Sequence, residues 1–192
     1  MATLLEVREN LARPYHRWTV EDYHRMVQTG LLDETDRVEL IEGELIDMAP
    51  IGCKHASRVD KLARALLLAL GMDYLVRVQN PVTLGGLSEP QPDIVVVRDG
   101  DYSLAHPSAS DIFLLVEVAD ATLHFDREVK LALYARHGIP EVWLLDVATD
   151  QLTIHCDPAD GQYRTLRTPA PDEPIAPQRL PQAVITLAEI MR

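Results

Sequence analysis

Three short, almost unbroken apolar runs constrain this chain more than any other feature: residues 94–97, 112–118 and 142–146. Runs of this length, rich in Val, Ile and Leu, suit strands covered on both faces, where neither set of alternating side chains meets water. Two amphipathic helices are available to cover them. Residues 55–70 carry a stripe of Val59, Leu62, Leu66 and Leu70 stopped by Gly71, and residues 126–137 form a second helix ended by Gly138. The pattern predicts an α/β (α+β) fold, a central mixed β-sheet flanked by helices. An N-terminal helix is expected after Thr19, which can cap it ahead of Glu21 and Asp22, with Gly30 as its stop. Residues 37–48 read as a hairpin about Glu42-Gly43, 74–83 as a further strand, and 151–155 with 162–167 as a C-terminal β-hairpin. Prolines at 169, 171, 174, 177 and 181 mark irregular chain before a short last helix at 187–191. Residues 1–14 are expected as a flexible tail and 15–192 as a single domain.

Composition narrows the class. Of 192 residues, 47% are hydrophobic and 25% charged, enough for one domain with its own core. The longest apolar run, 65–70, is far too short to span a membrane. The first residues carry Glu6, Arg8 and Glu9 without the apolar stretch of a secretory signal. Cys53 and Cys156 lack CxxC spacing and read as a thiol pair rather than a disulfide or zinc site, so a cytoplasmic setting is expected. The formal charge of −12 opposes a protein that coats nucleic acid nonspecifically. That charge is clustered, however. Residues 31–50 hold seven acids against Arg37 alone, which is −6 in all.

The acids that interrupt the apolar runs carry the chemistry. Asp93 opens the 94–97 run directly after Pro92, and Glu117 falls near the end of the 112–118 run. A carboxylate placed in apolar surroundings is costly without a partner or a metal. Two acids at neighbouring strand ends can converge on one hard cation, since Mg²⁺ takes a few carboxylate oxygens and keeps several waters. Lys130 lies on the helix after the Glu117 strand, and Asp126, Lys130 and Tyr134 share one stripe at i, i+4, i+8. A lysine there can orient a water or offset charge in a transition state. Each of these residues also has an ordinary structural reading: a strand-start turn for Asp93, an edge acid for Glu117, a surface ion pair for Asp126 and Lys130.

Pro92-Asp93, the strand bearing Glu117-Val118 and the following helix with Lys130 resemble the PD-(D/E)XK nuclease core. Residues 114–146 (LLVEVADATLHFDREVKLALYARHGIPEVWLLD), with VELIEGELIDMAP at 38–50, His55 and QPDIVVV, more narrowly resemble the Uma-two restriction endonuclease family. The resemblance covers roughly residues 15–190. It implies a restriction-endonuclease-like core, Mg²⁺ or Mn²⁺ as cofactor and DNA as partner. Asp93 and Glu117 would be metal ligands, the Val118 backbone carbonyl a third, and Lys130 the water-orienting or charge-stabilising group. One departure from the superfamily stands out. The E-x-K lysine is expected two residues after Glu117, where Ala119 lies, and Lys130 occurs thirteen residues on. Many nucleases of this superfamily work as dimers, so a homodimer is expected.

Further residues join as candidates. Glu39 or Glu44 can complete the acid cluster, with Glu39 preferred for its place in a patterned strand before the turn. His55 heads the apolar stripe of its helix and reads as a partly buried structural histidine. Tyr134 reads as core with its hydroxyl satisfied, or as lining for the site. Lys54, Arg58, Lys61 and Arg64 form the compact basic stripe along which a nucleic-acid backbone can lie, unless they are simply a solvated helix face. The leading expectation is a Mg²⁺-dependent endonuclease. Its rivals are a catalytically silent binding or assembly module on the same scaffold, and an enzyme acting on a small phosphoester.

Overall fold

The computed structural model describes residues 16–33, 35–120 and 122–191. The tail expected over 1–14 lies outside them. Helix α1 (Val20–Gln28) starts at Thr19, which accepts from the Asp22 amide while its own amide donates to the Asp22 carboxylate, a reciprocal cap. Strands β1 (Val38–Ile41) and β2 (Glu44–Asp47) then pair as an antiparallel hairpin. Its turn takes positive φ at Glu42 (50°) and Gly43 (82°). A Cβ on Gly43 would lie 2.5 Å from Arg17 Cβ, so the turn needs glycine there.

The central sheet has six strands in the order β3 (Tyr74–Val78), β4 (Ile94–Arg98), β5 (Ile112–Ala119), β6 (Glu141–Asp146), β7 (Gln151–Ala159), β8 (Gln162–Arg167). Only β5 and β6 run parallel, joined by the helix over residues 123–136, here α3. The alternation of the strands sorts the core onto two faces. Ile94, Val96, Leu114, Val116 and Val118 meet Val59, Leu62 and Leu66 of helix α2 (Cys53–Leu70). Val95, Val97 and Leu115 join Leu133 and Tyr134 of α3 on the other side. Residues 94–97 and 114–116 are wholly buried, as strands covered on both faces must be. By the same parity Glu117 faces α3.

Two expectations are corrected. The strand expected over 74–83 stops at Val78, because Gln79 adopts φ 51° and Pro81 has no N–H to offer a ladder. The C-terminal hairpin forms as expected, with β7 reaching Ala159 and both its strands extending the central sheet. The second helix begins at Leu123 rather than Asp126, and its middle turn, Asp126–Lys130, is π-helical between α-helical Leu123–Phe125 and Leu131–Arg136. Two-residue strands β9 (Pro174–Ile175) and β10 (Ile185–Thr186) and helix α4 (Leu187–Met191) close the α2 side of the core. Cys53 and Cys156 are free thiols. Among the described residues no helix is long and apolar enough to cross a membrane.

Candidate functional site

The site begins with strand register. Ile94 of β4 pairs with Val116 of β5, and the same antiparallel register carried one residue further sets Asp93 across from Glu117. Directly opposed residues present their side chains on one face. Asp93 is fixed from both sides: Oδ2 accepts from the Val118 amide at 2.8 Å, and Oδ1 meets His55 Nε2 at 2.9 Å and Gln79 Nε2 at 3.4 Å. The hydrogen bond to Asp93 raises the His55 pKa against the opposing effect of burial, and the Val118 carbonyl acts in the same direction as Asp93. His55 thus orients Asp93 together with the Val118 amide and Gln79.

Helix α3 supplies the rest. Its π-turn buries Asp126 and Lys130 together under the Glu117 strand. Lys130 Nζ stands 3.1 Å from Glu39 Oε1, 3.4 Å from Glu117 Oε1 and 3.9 Å from Asp126 Oδ1. One turn on, the Tyr134 hydroxyl donates to Glu117 Oε1 at 2.5 Å. Thr122 holds Asp126 Oδ2 at 2.7 Å, and the Gln91 amide holds Glu39 Oε2 at 3.1 Å. Among the described residues nothing donates to Glu117 Oε2, which leaves that oxygen for a ligand.

The electrostatics follow from crowding acids out of water. Burial pushes the Glu117 pKa up to about 8; Lys130 opposes this, while Asp126 and Asp93 add to it. Asp126 is raised by burial as well. Burial works against the charge on Lys130, yet Glu117, Glu39 and Asp126 outweigh it and hold the ammonium protonated. The Tyr134 phenol is driven well above its ordinary range by burial and by Glu117.

All of these groups but Tyr134, which lies buried behind Glu117, line a cavity of about 110 Å³. Glu39, Asp47, Asp93, Glu117, Asp120 and Asp126 face it against Arg37 and Lys130, a formal −6 + 2 = −4. An oxygen-rich, net-anionic cavity is a fitting donor set for a hard divalent cation. Asp93, Glu117, Lys130, Glu39, His55, Asp126 and Tyr134 therefore come together. Glu44 does not: it pairs with Ile41 on β2 and points to solvent. The basic stripe is partly committed elsewhere. Arg58 grips Asp150 through two hydrogen bonds of 3.1 and 3.2 Å, and Lys54 reaches the Val147 carbonyl and the same Asp150. Lys61 and Arg64 flank a shallow surface hollow with Leu68 and Val184.

The chain matches the Uma2 (Uma-two) family, described as "Putative restriction endonuclease", over residues 20–188. It belongs to that family. Among solved structures it is similar to "a putative nuclease belonging to DUF820" from Anabaena variabilis ATCC 29413, with TM-score 0.71 and 15% identity over 90% of this chain and 96% of that one. At that identity the likeness is one of fold. No curated protein matches the chain.

Within this Uma2 fold, sequence reasoning passed over Gln79, Gln91, Asp120 and Thr122. Gln91 did carry a signal. Between Pro90 and Pro92 it owns the one backbone N–H of the three, and that N–H goes to Glu39. Gln79, Asp120 and Thr122 sit in connecting segments where no periodicity marks a side chain as inward.

Proposed function

We propose that this chain is a metal-dependent endonuclease that hydrolyses DNA phosphodiester bonds, with residues 15–192 acting as one restriction-endonuclease-like domain in the cytoplasm. The observation that carries the reading is the meeting of Asp93, Glu117, Glu39 and Lys130 in one anionic cavity. Asp93, Glu117 and the Val118 carbonyl would hold Mg²⁺ or Mn²⁺. Such an ion lowers the pKa of a bound water and polarises a phosphoryl oxygen.

The protein's own groups do the rest. His55 and the Val118 amide fix the Asp93 carboxylate, while Tyr134 fixes Glu117 through Oε1 and leaves Oε2 free for a ligand. Lys130, held protonated by three carboxylates, presents an ammonium that orients the attacking water or offsets charge building on the phosphate. In this reading Lys130 takes the role that the superfamily gives to the lysine two positions after Glu117. The burial of Glu39, Glu117, Asp126 and Lys130 strengthens the interactions among them. Cutting both strands of a duplex requires two such sites, so a homodimer belongs to the proposal.

Nicking of supercoiled plasmid in Mg²⁺ or Mn²⁺ tests it. The wild-type protein should nick, and Asp93→Ala, Glu117→Ala and Lys130→Ala should each reduce the rate by at least a hundredfold. Nicking that persists in all three variants refutes the assignment. A folded wild-type protein that neither binds Mn²⁺ nor cuts any nucleic acid would leave the scaffold as a silent binding or assembly module.

A further inference from the structure

A second cluster lies away from the cleft, where three chain segments meet. His24 projects from α1, Glu89 from the connection between β3 and β4, and His106 from the connection between β4 and β5. His24 Nε2 is 2.8 Å from Glu89 Oε1, His106 Nε2 is 4.0 Å from the same oxygen, and the three ligand atoms lie within 4.8 Å of one another.

The Glu89 carboxylate is the unusual member. Its side chain is 2% exposed, and among the described residues no Lys or Arg comes within 4.0 Å of it. A carboxylate so enclosed without a fixed cation is costly, and two imidazoles are the groups facing it. Thr83 Oγ1 donates to Oε2 at 3.1 Å, which orients the carboxylate and leaves Oε1 turned toward both rings. That is the outer support a metal-binding carboxylate receives.

We propose that His24, Glu89 and His106 form a structural divalent-metal site of the Zn²⁺ type, separate from the catalytic cavity. Two imidazole nitrogens and one carboxylate oxygen, with a water as fourth ligand, suit Zn²⁺, whereas the carboxylate-rich cleft around Asp93 suits Mg²⁺. With bonds of about 2.0–2.2 Å, tetrahedral ligands sit about 3.3 Å apart. The observed spacing needs His24 to open slightly and His106 to close slightly, both through side-chain rotation.

The site has a structural task. Helix α1 buries no side chain. It is tied down by polar links: Val20 N–H to the Gly86 carbonyl at 2.9 Å, Tyr23 hydroxyl to the Val38 carbonyl at 3.1 Å, and His24 to Glu89. A metal would turn the last of these into a clasp. The clasp reaches the cleft through the backbone, since the Glu89 amide pairs with the Leu40 carbonyl and the Gln91 amide holds the Glu39 carboxylate.

Chelator-stripped full-length protein, titrated with Zn²⁺ against a chromophoric competitor, tests this. One Zn²⁺ per chain should bind in the wild type and in Asp93→Asn. His24→Ala and His106→Ala, both at partly exposed positions, should each weaken it at least tenfold. Co²⁺ in the same site should give the intense visible absorption of tetrahedral coordination, and Zn²⁺ should raise the unfolding temperature of the wild type but of neither histidine variant. Absence of saturable Zn²⁺ binding in the wild type, or unchanged affinity in both histidine variants, overturns the site and leaves His24 and Glu89 as a hydrogen-bonded pair.

Discussion

Glu117 is held by its surroundings in a state that its proposed role as a metal ligand would have to undo. In the unfolded chain its pKa is near 4.5, and in the fold burial lifts it to about 8. Between those values the folded protein keeps a proton that the unfolded chain has released, so Glu117 makes stability fall as pH rises through that window. Glu117→Gln removes this loss. The metal-free variant should match the wild type in unfolding temperature below pH 4.5 and exceed it at pH 8, while the proposed nicking activity is lost. Equal pH slopes for the two proteins would disprove the buried-acid account. The same value bears on metal binding. Below pH 8 a cation at Glu117 must displace a proton, so Mn²⁺ affinity should rise with pH up to about 8, with proton release measurable by calorimetry in buffers of different ionisation enthalpy. Lys130 is the reverse case. Lys130→Met leaves Glu39, Glu117 and Asp126 without their shared cation and should destabilise the metal-free protein by roughly 3–5 kcal/mol, read by urea titration. Asp93 and Glu117 were legible in the sequence because an acid inside an apolar run has few tolerable explanations. His24, Glu89 and His106 were not, because each lies outside the buried strands and only the tertiary fold brings them together.

At the scale of elements, the π-turn of α3 sets the site's geometry. Asp126, Lys130 and Tyr134 read in sequence as an α-helical stripe, and all three are buried on one side. What the stripe could not reveal is that the turn from Asp126 to Lys130 is over-wide, with the helix resuming regular α geometry at Leu131. A four-residue spacing is nearly as compatible with one as with the other, so apolar periodicity carries no mark of the change. Such turns behave as a residue inserted into an α-helix, and they concentrate at functional sites. Deleting exposed Glu128 should restore a regular helix and rotate Asp126 by about 100° relative to Tyr134. The deletion variant is expected to keep its helical circular dichroism while losing metal-dependent nicking at least a hundredfold. Full activity in a folded deletion variant would show that the π-turn is incidental. The hairpin of β1 and β2 offers the complementary lesson. Its two-strand pattern was legible from Glu42-Gly43, and so was the preference for Glu39, because in this strand the residue before Leu40 points away from solvent while Glu44 points into it.

For the whole molecule the question is how a chain of charge −12 can approach a polyanion. Part of that charge is the cavity's own formal −4, which a divalent cation would reduce. The basic surface of α2 left free of ion pairs among the described residues is smaller than the sequence suggested. Of Lys54, Arg58, Lys61 and Arg64, the first two are bound to Asp150, and the last two have no ion pair among the described residues. Arg64 lies nine residues beyond His55, about 14 Å along the helix at 1.5 Å per residue, within reach of a duplex backbone entering the cleft. If this stripe is the contact, about two phosphates are neutralised rather than four, and the slope of log K against log salt should be about −2 instead of about −4. Fluorescence anisotropy with a labelled duplex and the uncutting Glu117→Gln protein measures it. Asp150→Asn removes the carboxylate that Arg58 and Lys54 share, while their bonds to the Met191 and Val147 carbonyls remain, and should both tighten binding and steepen the slope. A slope that ignores Asp150→Asn, together with affinity unchanged by Lys61→Glu and Arg64→Glu, would move the DNA off α2 altogether.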